Sequence, residues 1–144
     1  PNLLRMDNSY PINISQVIEQ VAADYAQFPK EQSYHLYAEN VYFKDPMNEF
    51  RGVKQYRRMI GFIEQWFQDI ELELHNIEPP SGNTFITRWT LHFTAPAPWQ
   101  PRISIPGRSE LQVNKDGFIC SHIDYWNCSR WDVLKQLFKQ PCPV

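Results

Sequence analysis

The spacing of apolar residues predicts helices in the first half of the chain. Over residues 12–28, apolar side chains recur every three or four positions, which is the spacing of one helix face. Pro29 ends this predicted helix, because proline cannot continue the helical hydrogen-bond pattern. The same spacing predicts a short helix over residues 32–37 and a longer one from Gly52 to about residue 68.

Beyond residue 70 the period changes to two, which predicts β-strands. The segments IELELHNIE, TFITRWTLHFT and GFICSHIDYW alternate between apolar and polar residues, and RISIPGRSELQVN is extended. The tetrapeptide NKDG (114–117) predicts a hairpin turn between the last two strands. A shorter strand is predicted at NVYF (40–43), and a last helix at residues 129–139.

This order of elements predicts an α+β fold, in which helices lie on one side of a curved antiparallel sheet. A length of 144 residues is typical of one domain. We assign residues 12–140 to that domain, residues 1–11 to a polar N-terminal tail and residues 141–144 to a C-terminal tail.

Charge and motif content argue against several classes of partner. The chain has 14 basic and 16 acidic residues, a formal net charge of −2 and no basic stripe, so we expect no nucleic-acid partner. No run approaches the roughly 18 apolar residues that span a bilayer, so we expect no membrane partner. The histidines and cysteines lack metal-ligand spacing, and a glycine-rich phosphate loop is missing, so neither a metal nor another cofactor is predicted.

The cysteine content indicates the kind of cellular compartment in which the protein is found. Cys120, Cys128 and Cys142 are odd in number and form no CxxC pair, which suits a reducing compartment better than a disulfide framework. We therefore expect a cytoplasmic protein. Because the sequence begins at Pro1, a targeting segment that has been removed is compatible with it.

Two motifs far apart in the predicted domain resemble the NTF2-like superfamily, in its SnoaL-like and ketosteroid-isomerase-like branch. They are LYAENVYFKDP followed by RGVKQY, and VNKDGFICSHIDYW. The resemblance covers residues 12–138. It implies a cone-shaped sheet, antiparallel with mixed pairing, wrapped around the N-terminal helices. The segments DPMNEFRG, RWTL, PW and GRSEL look most similar to an uncharacterised group from photosynthetic organisms, from which no activity can be carried over.

Asp45 has two interpretations. By the resemblance, it stands where ketosteroid isomerases hold their general base, which must lie in an apolar pocket to take a carbon-bound proton. By its local sequence, Asp45 with Pro46 initiates a turn, in which the carboxylate caps its own backbone. The two interpretations are compatible if the turn lies at the rim of a cavity.

The resemblance supplies two further candidates for ligand contact. Tyr25 matches the isomerase tyrosine that donates a hydrogen bond to the developing enolate, and an ordinary core tyrosine fits the sequence as well. Ser109 falls where those isomerases hold a protonated carboxylic acid. A serine cannot supply that acid, so the steroid-isomerase mechanism is not expected.

The last predicted strand carries the strongest chemical candidates. Side chains alternate along a strand, so His122, Asp124 and Trp126 share one face, and the resemblance implies that this face lines the cavity. SnoaL-like cyclases keep an acid/base aspartate here, and Asp124 is its counterpart. We expect His122 to orient Asp124, Asp124 to move a proton, and Asp45 to assist or to anchor the ligand. A buried polar network with a purely structural role fits the same residues.

Aromatic residues make up 15% of the chain, and they predict the character of the ligand. Phe43, Trp89 and Trp126 would wall a cavity for a flat or elongated apolar molecule. The opposite face of the sheet carries Arg88 and His92, which suits solvent or a partner copy, and we expect a homodimer.

Two functional hypotheses follow. In the first, the protein binds a small apolar molecule and is an acid/base enzyme of isomerase, cyclase or hydrolase type, acting on a carbonyl or an epoxide-like electrophile. In the second, it is a non-catalytic module that dimerises or docks a partner protein, and its own aromatic rings fill the cavity. The hypotheses differ in whether Asp45, His122 and Asp124 line one open cavity.

Overall fold

The computed structural model describes residues 14–138, which form three α-helices and one six-stranded mixed sheet. The predicted tails, residues 1–11 and 141–144, lie outside the described residues. The architecture is the predicted α+β fold. In chain order the elements are α1 (Ile14–Gln27), a single 3-10 turn (Tyr34–Leu36), β1 (Tyr37–Lys44), β2 (Glu49–Arg51), α2 (Val53–Trp66), β3 (Gln68–Ile77), β4 (Thr84–Thr94), β5 (Arg102–Val113), β6 (Ile119–Trp126) and α3 (Arg130–Gln136).

The sheet is open and has the strand order β2-β1-β6-β5-β4-β3. β1 and β6 pair in parallel, and the other neighbouring strands pair antiparallel, so the pairing is mixed as predicted. Register shifts interrupt the β1–β6, β3–β4 and β5–β6 pairs. Such bulges bend a strand and increase its twist, which accounts for the curvature of the sheet.

Three clusters of buried side chains hold the helices against the sheet. The first joins α1 to the sheet, the second joins α2 to β1, and the third joins α3 to β4 and β5; each large apolar side chain contributes roughly 1.5–3 kcal/mol when fully buried. Their buried members include Val17, Val21, Phe85 and Leu111 in the first, Phe43, Tyr56 and Ile60 in the second, and Phe93, Ile103 and Ile105 in the third. Val133 of α3 is partly buried and packs against the third cluster. Because the three clusters are separate, space remains between them on the concave face.

The β5–β6 hairpin forms at the predicted NKDG turn. The side-chain oxygen of Asn114 accepts hydrogen bonds from the backbone N–H groups two and four residues further on. Gly117 has a φ of 89°, a left-handed value that favours glycine. The hairpin sets a register in which Ser109 lies opposite Asp124.

Two local predictions need correction. The helix predicted over residues 32–37 is only a 3-10 turn, and Ser33, which precedes it, donates its hydroxyl to Asp24 instead of capping the turn. The sequence pattern does not predict β2, because this strand has a single apolar residue. β2 forms because the N–H of Asp45 donates to the carbonyl of Asn48, and this turn brings the chain back along β1.

Candidate active site

The helices and the sheet enclose a cavity of about 670 Å³. This volume lies within the range of roughly 300–1,000 Å³ that is usual for small-molecule sites. The cavity lies between the three clusters and takes part of its wall from each, for example Val21, Tyr56 and Ile105. Its lining is mainly apolar, with a few polar side chains that come from several elements.

All eight side chains that the sequence predicts for the site line this one cavity. Three are the predicted proton-transfer residues, and the other five are the predicted ligand contacts. They are Asp45, His122 and Asp124, and Tyr25, Phe43, Trp89, Ser109 and Trp126. The structure brings these side chains together, while their roles stay predictions.

Asp124 is held from one side by Ser109. The Ser109 hydroxyl donates to Asp124 Oδ1 over 2.5 Å, and the indole N–H of Trp89 donates to Ser109 Oγ over 2.9 Å. A hydroxyl has only one proton, and here that proton is directed at the carboxylate. Ser109 and Trp89 are both buried, so packing fixes their positions.

His122 holds the same oxygen of Asp124 from the other side. Its Nε2 lies 2.8 Å from Asp124 Oδ1, and its Nδ1 lies 3.1 Å from the hydroxyl of Tyr37. Since Ser109 also donates to that oxygen, Asp124 is the acceptor there, and we assign an N–H to Nε2 of His122. Nδ1 then accepts from Tyr37. Both ring nitrogens are occupied, so His122 orients Asp124 and is not itself free to take a proton from a ligand.

Aromatic rings surround the imidazole of His122. Its ring centroid lies 5.1 Å from that of Phe43, 5.6 Å from that of Tyr56 and 6.0 Å from that of Tyr37. Only 5% of the His122 surface is exposed. The rings exclude water from the His122–Asp124 hydrogen bond and restrict rotation of the imidazole, which supports its role in positioning Asp124.

Asp45 both closes a turn and lines the cavity. Its Oδ1 accepts hydrogen bonds from the backbone N–H groups of Met47, at 2.8 Å, and Asn48, at 2.6 Å. Partial burial raises the pKa of Asp45, the charge of Asp124 raises it further, and the hydrogen bonds from Met47 and Asn48 act in the opposite direction. The turn and the cavity rim therefore coincide at this residue.

Tyr25 lies in the cavity wall as predicted. Its hydroxyl oxygen lies 2.8 Å from Thr87 Oγ1, and Thr87 is fully buried. Burial raises the pKa of Tyr25 to about 12, with a further contribution from the charge of Asp124. The phenol is therefore neutral at physiological pH and can act as a hydrogen-bond donor or acceptor.

The sequence reasoning missed Tyr37 and Tyr56. Tyr37 contacts His122, and its hydroxyl oxygen lies 3.4 Å from that of Tyr56. Burial raises the pKa of both phenols. Tyr37 is the second residue of the first recognised motif, LYAENVYFKDP, and its place in that motif is a signal that could have found it. However, the register shift in β1 between Tyr37 and Tyr42 breaks the alternation that would have placed it on the inner face.

The opposite face of the sheet carries polar pairs, as its sequence predicts. The Nε of Arg88 donates to Glu78 over 2.9 Å, and the two ring nitrogens of His92 contact Ser104 and Glu73. The homodimer expected at this face stays a prediction.

The described residues contain neither a metal-binding cluster nor a membrane-spanning helix. Among residues 14–138, no three His, Cys, Asp or Glu side chains are close enough together to hold a metal ion. Within the same range, no helix has the length and apolar character needed to cross a membrane.

The family of the chain follows from a sequence match. A family described as an uncharacterized conserved protein, DUF2358, matches residues 15–122, which is more than half of the chain. The chain belongs to this family. No curated protein matches the chain significantly.

Solved structures share the fold. A proposed SnoaL-like polyketide cyclase from Jannaschia sp. CCS1 has a TM-score of 0.72 at 14% identity and covers 91% of this chain and 96% of its own. A protein of ketosteroid-isomerase-like fold from Catenulispora acidiphila has a TM-score of 0.69 at 15% identity, with 87% and 93% covered.

An LEH-like epoxide hydrolase from M. tuberculosis is also similar in structure. It has a TM-score of 0.65 at 16% identity, with 85% of this chain and 87% of its own covered. At these identities the likeness shows the fold alone, and that fold is NTF2-like. The narrower resemblance to a group from photosynthetic organisms stays a prediction.

Proposed function

We propose that this protein binds a small, largely apolar molecule in its cavity and transfers a proton to or from that molecule. Asp124 is the acid/base, Ser109 and His122 position it, and Asp45 assists. The observation that carries the proposal is the arrangement of the Asp124 carboxylate. Its Oδ1 is anchored by two donors, while within residues 14–138 no group donates to its Oδ2.

An anchored carboxylate in an apolar cavity suits proton transfer. Its position is set before a ligand binds, so little side-chain freedom is lost at the reacting step. The apolar walls exclude water, which strengthens the electrostatic interaction between the carboxylate and the proton that it moves. Such a group can remove a proton beside a carbonyl, or activate a water molecule that opens an epoxide.

Two carboxyl groups in one cavity permit a division of roles. Asp124 accepts hydrogen bonds from Ser109 and His122 and suits the proton acceptor. Asp45 lines the same cavity from its rim and suits a group that assists the transfer or anchors the ligand. Because the Ser109 hydroxyl is committed to Asp124, it does not replace the protonated acid of the steroid isomerases.

The reaction is therefore of isomerase, cyclase or hydrolase type without the steroid-isomerase mechanism. The substrate carries a carbonyl or an epoxide-like group. Structural neighbours named as a polyketide cyclase and as an epoxide hydrolase accord with this range. The open volume of about 670 Å³ favours the ligand proposal over a module whose own rings fill the cavity.

The first test is native mass spectrometry of protein purified gently from its own host, followed by denaturing extraction. A stoichiometric apolar compound would support the proposal and supply an assay substrate. Exchange of protons beside a carbonyl can then be followed by NMR in D2O, and epoxide opening by analysis of the products. If no compound co-purifies and the species observed is a dimer or a complex with another protein, the interaction module becomes the better account.

The decisive variant is Asp124→Asn. It is expected to slow the reaction by roughly 10²- to 10⁴-fold, the usual contribution of a general acid/base. Glu110→Gln is the matched control, because Glu110 lies opposite Ile123 on the neighbouring strand and does not line the cavity. A full rate in Asp124→Asn would show that the acid/base assignment is wrong.

A further inference from the structure

The charged groups that line the cavity are unbalanced. Three are carboxylates, Asp24, Asp45 and Asp124, and one is a fixed cation, Arg58. Arg58 is exposed, and its guanidinium contacts the side-chain oxygen of Gln55 at 3.4 Å. In the described part of the chain, Arg58 forms no ion pair with the three carboxylates. The cavity therefore has an excess of negative charge.

Groups other than lysine and arginine hold each of the three carboxylates by hydrogen bonds. Asp24 accepts hydrogen bonds from a glutamine amide, a serine hydroxyl and a backbone N–H group. Asp45 accepts from two backbone N–H groups and an asparagine amide. Asp124 accepts from a serine hydroxyl and a ring N–H of His122. Such bonds satisfy the oxygens but leave the charges uncompensated, because no lysine or arginine of the described residues pairs with them.

The negative charge acts across the cavity. Burial is the main cause of the raised pKa of Tyr25 and of Asp45, and the charge of Asp124 raises both further. The charge of Asp124 thus changes the pKa of groups on other walls of the same cavity. A cation bound between these groups would relieve the repulsion between Asp45 and Asp124.

Aromatic rings supply much of the remaining wall. Phe43 stacks with Phe50 at a centroid distance of 5.1 Å, and Tyr56 lies 5.3 Å from Phe43. Trp89 and Trp126 line the same cavity. The negative face of an aromatic ring attracts ammonium groups, most strongly for tryptophan.

We infer that the cavity takes an organic cation, an ammonium nitrogen carried on an apolar, ring-containing body. This inference rests on the proposed function and names the ligand class of the same cavity. The ammonium binds at Asp45, on the turn whose Met47 is exposed at the cavity mouth, and the apolar body lies against the rings. Asp124, which is held by buried partners, is then left to transfer the proton at the reacting atom of the ligand. A ligand with a carboxylate in place of the ammonium is repelled.

The test compares three probes that share one body and differ in head group: 4-phenylbutan-1-amine, 4-phenylbutan-1-ol and 4-phenylbutanoate. Binding to the full chain at pH 7 is measured by calorimetry, and the indole N–H signals of Trp89 and Trp126 report occupancy of the cavity by NMR. We expect the amine to bind at least about tenfold more tightly than the alcohol. The carboxylate is expected to bind more weakly than the alcohol.

Variants then show which carboxylate is responsible for the preference for the amine over the alcohol. Asp45→Asn keeps an acceptor for the turn and removes the charge, so it is expected to lower the amine-to-alcohol affinity ratio at least about threefold. Asp124→Asn is expected to lower the same ratio. Glu110→Gln, outside the cavity, is expected to leave the ratio unchanged.

The outcomes separate this inference from the proposed function. Equal binding of amine and alcohol, or an unchanged ratio in Asp45→Asn, overturns the cation inference and leaves the ligand cavity in place. If none of the three probes binds, the cation inference is overturned, and the result counts against the proposed ligand cavity as well.

Discussion

At the scale of single residues, Ser109 shows how this site departs from the resemblance that predicted it. The residue stands where the steroid isomerases hold a protonated acid, but its hydroxyl accepts from Trp89 and donates to Asp124. It thereby links a wall of the cavity to the proposed acid/base. Ser109 is 1% exposed, so water cannot replace either bond without rearrangement.

Ser109→Ala is expected to destabilise the protein by about 1–3 kcal/mol, because the buried indole N–H of Trp89 loses its acceptor. Urea unfolding measures this change. Ser104→Ala is the matched control, since Ser104 lies on the same strand and its hydroxyl contacts His92 on the opposite, more exposed face. Equal stability of the two variants would show that the Trp89–Ser109 bond is not important for the fold.

At the scale of elements, the β5–β6 hairpin forms the wall of the cavity that carries Ser109 and Asp124. Its register places Ser109 opposite Asp124. A slip of one residue would turn one of these two side chains to the other face of the sheet, because faces alternate along a strand. The polar turn at residues 114–117 thus determines which side chain holds the proposed acid/base.

Gly107 in β5 lies where the backbone of β6 and the ring of Trp89 approach it closely. A Cβ at this position would lie 2.6 Å from the carbonyl oxygen of Tyr125 and 2.7 Å from Cη2 of Trp89. Gly107→Ala is therefore expected to displace the Trp89 ring and to cost about 1–3 kcal/mol of stability, as overpacking does. The unfolding free energy and the Trp89 indole signal in NMR spectra measure the two effects.

Gly61→Ala is the matched control for Gly107→Ala. Gly61 lies in α2, and a Cβ there meets no atom within 4 Å. Replacing glycine by alanine within a helix stabilises it by roughly 0.5–1 kcal/mol. The two variants should therefore change stability in opposite directions, and a loss of stability in both would contradict the steric argument.

At the scale of the whole molecule, three clusters hold the helices apart and leave the cavity between them. Carboxylates in such a space are partly removed from water, which costs free energy when they are charged. The fold therefore places Asp45 where its ionisation affects the stability of the entire domain.

The pH dependence of stability should show this coupling at Asp45. Its pKa is raised in the folded state above the unfolded value of about 3.9, so the folded state binds more protons between the two values. Its stabilising contribution is present below about pH 3.9 and is lost as the pH rises through the folded pKa. We expect the difference in unfolding free energy, wild type minus Asp45→Asn, to fall over this pH range.

Urea unfolding at several pH values between 4 and 7 measures this difference, in which the other titrating groups largely cancel. Asp116→Asn is the control, because Asp116 lies in the exposed hairpin turn and does not line the cavity. A wild-type minus Asp45→Asn difference that rises with pH would mean that the turn hydrogen bonds outweigh burial at Asp45.

The sequence by itself determined the longer elements and, where alternation is unbroken, the faces of their side chains. The helical spacing before residue 68 and the alternation after residue 70 reflect local geometry, so they predicted α1, α2 and the long strands. Alternation along β6 also placed His122, Asp124 and Trp126 on one face without any knowledge of the partners of that strand.

Only the tertiary structure decided which groups meet across elements. Tyr37 contacts His122 from 85 positions away, after a register shift that no local pattern reveals. Ser109 meets Asp124 because the hairpin sets their register. Whether rings fill a cavity or surround it depends on the summed shapes of side chains from several elements, and the periodicity of one chain segment contains no information about that sum.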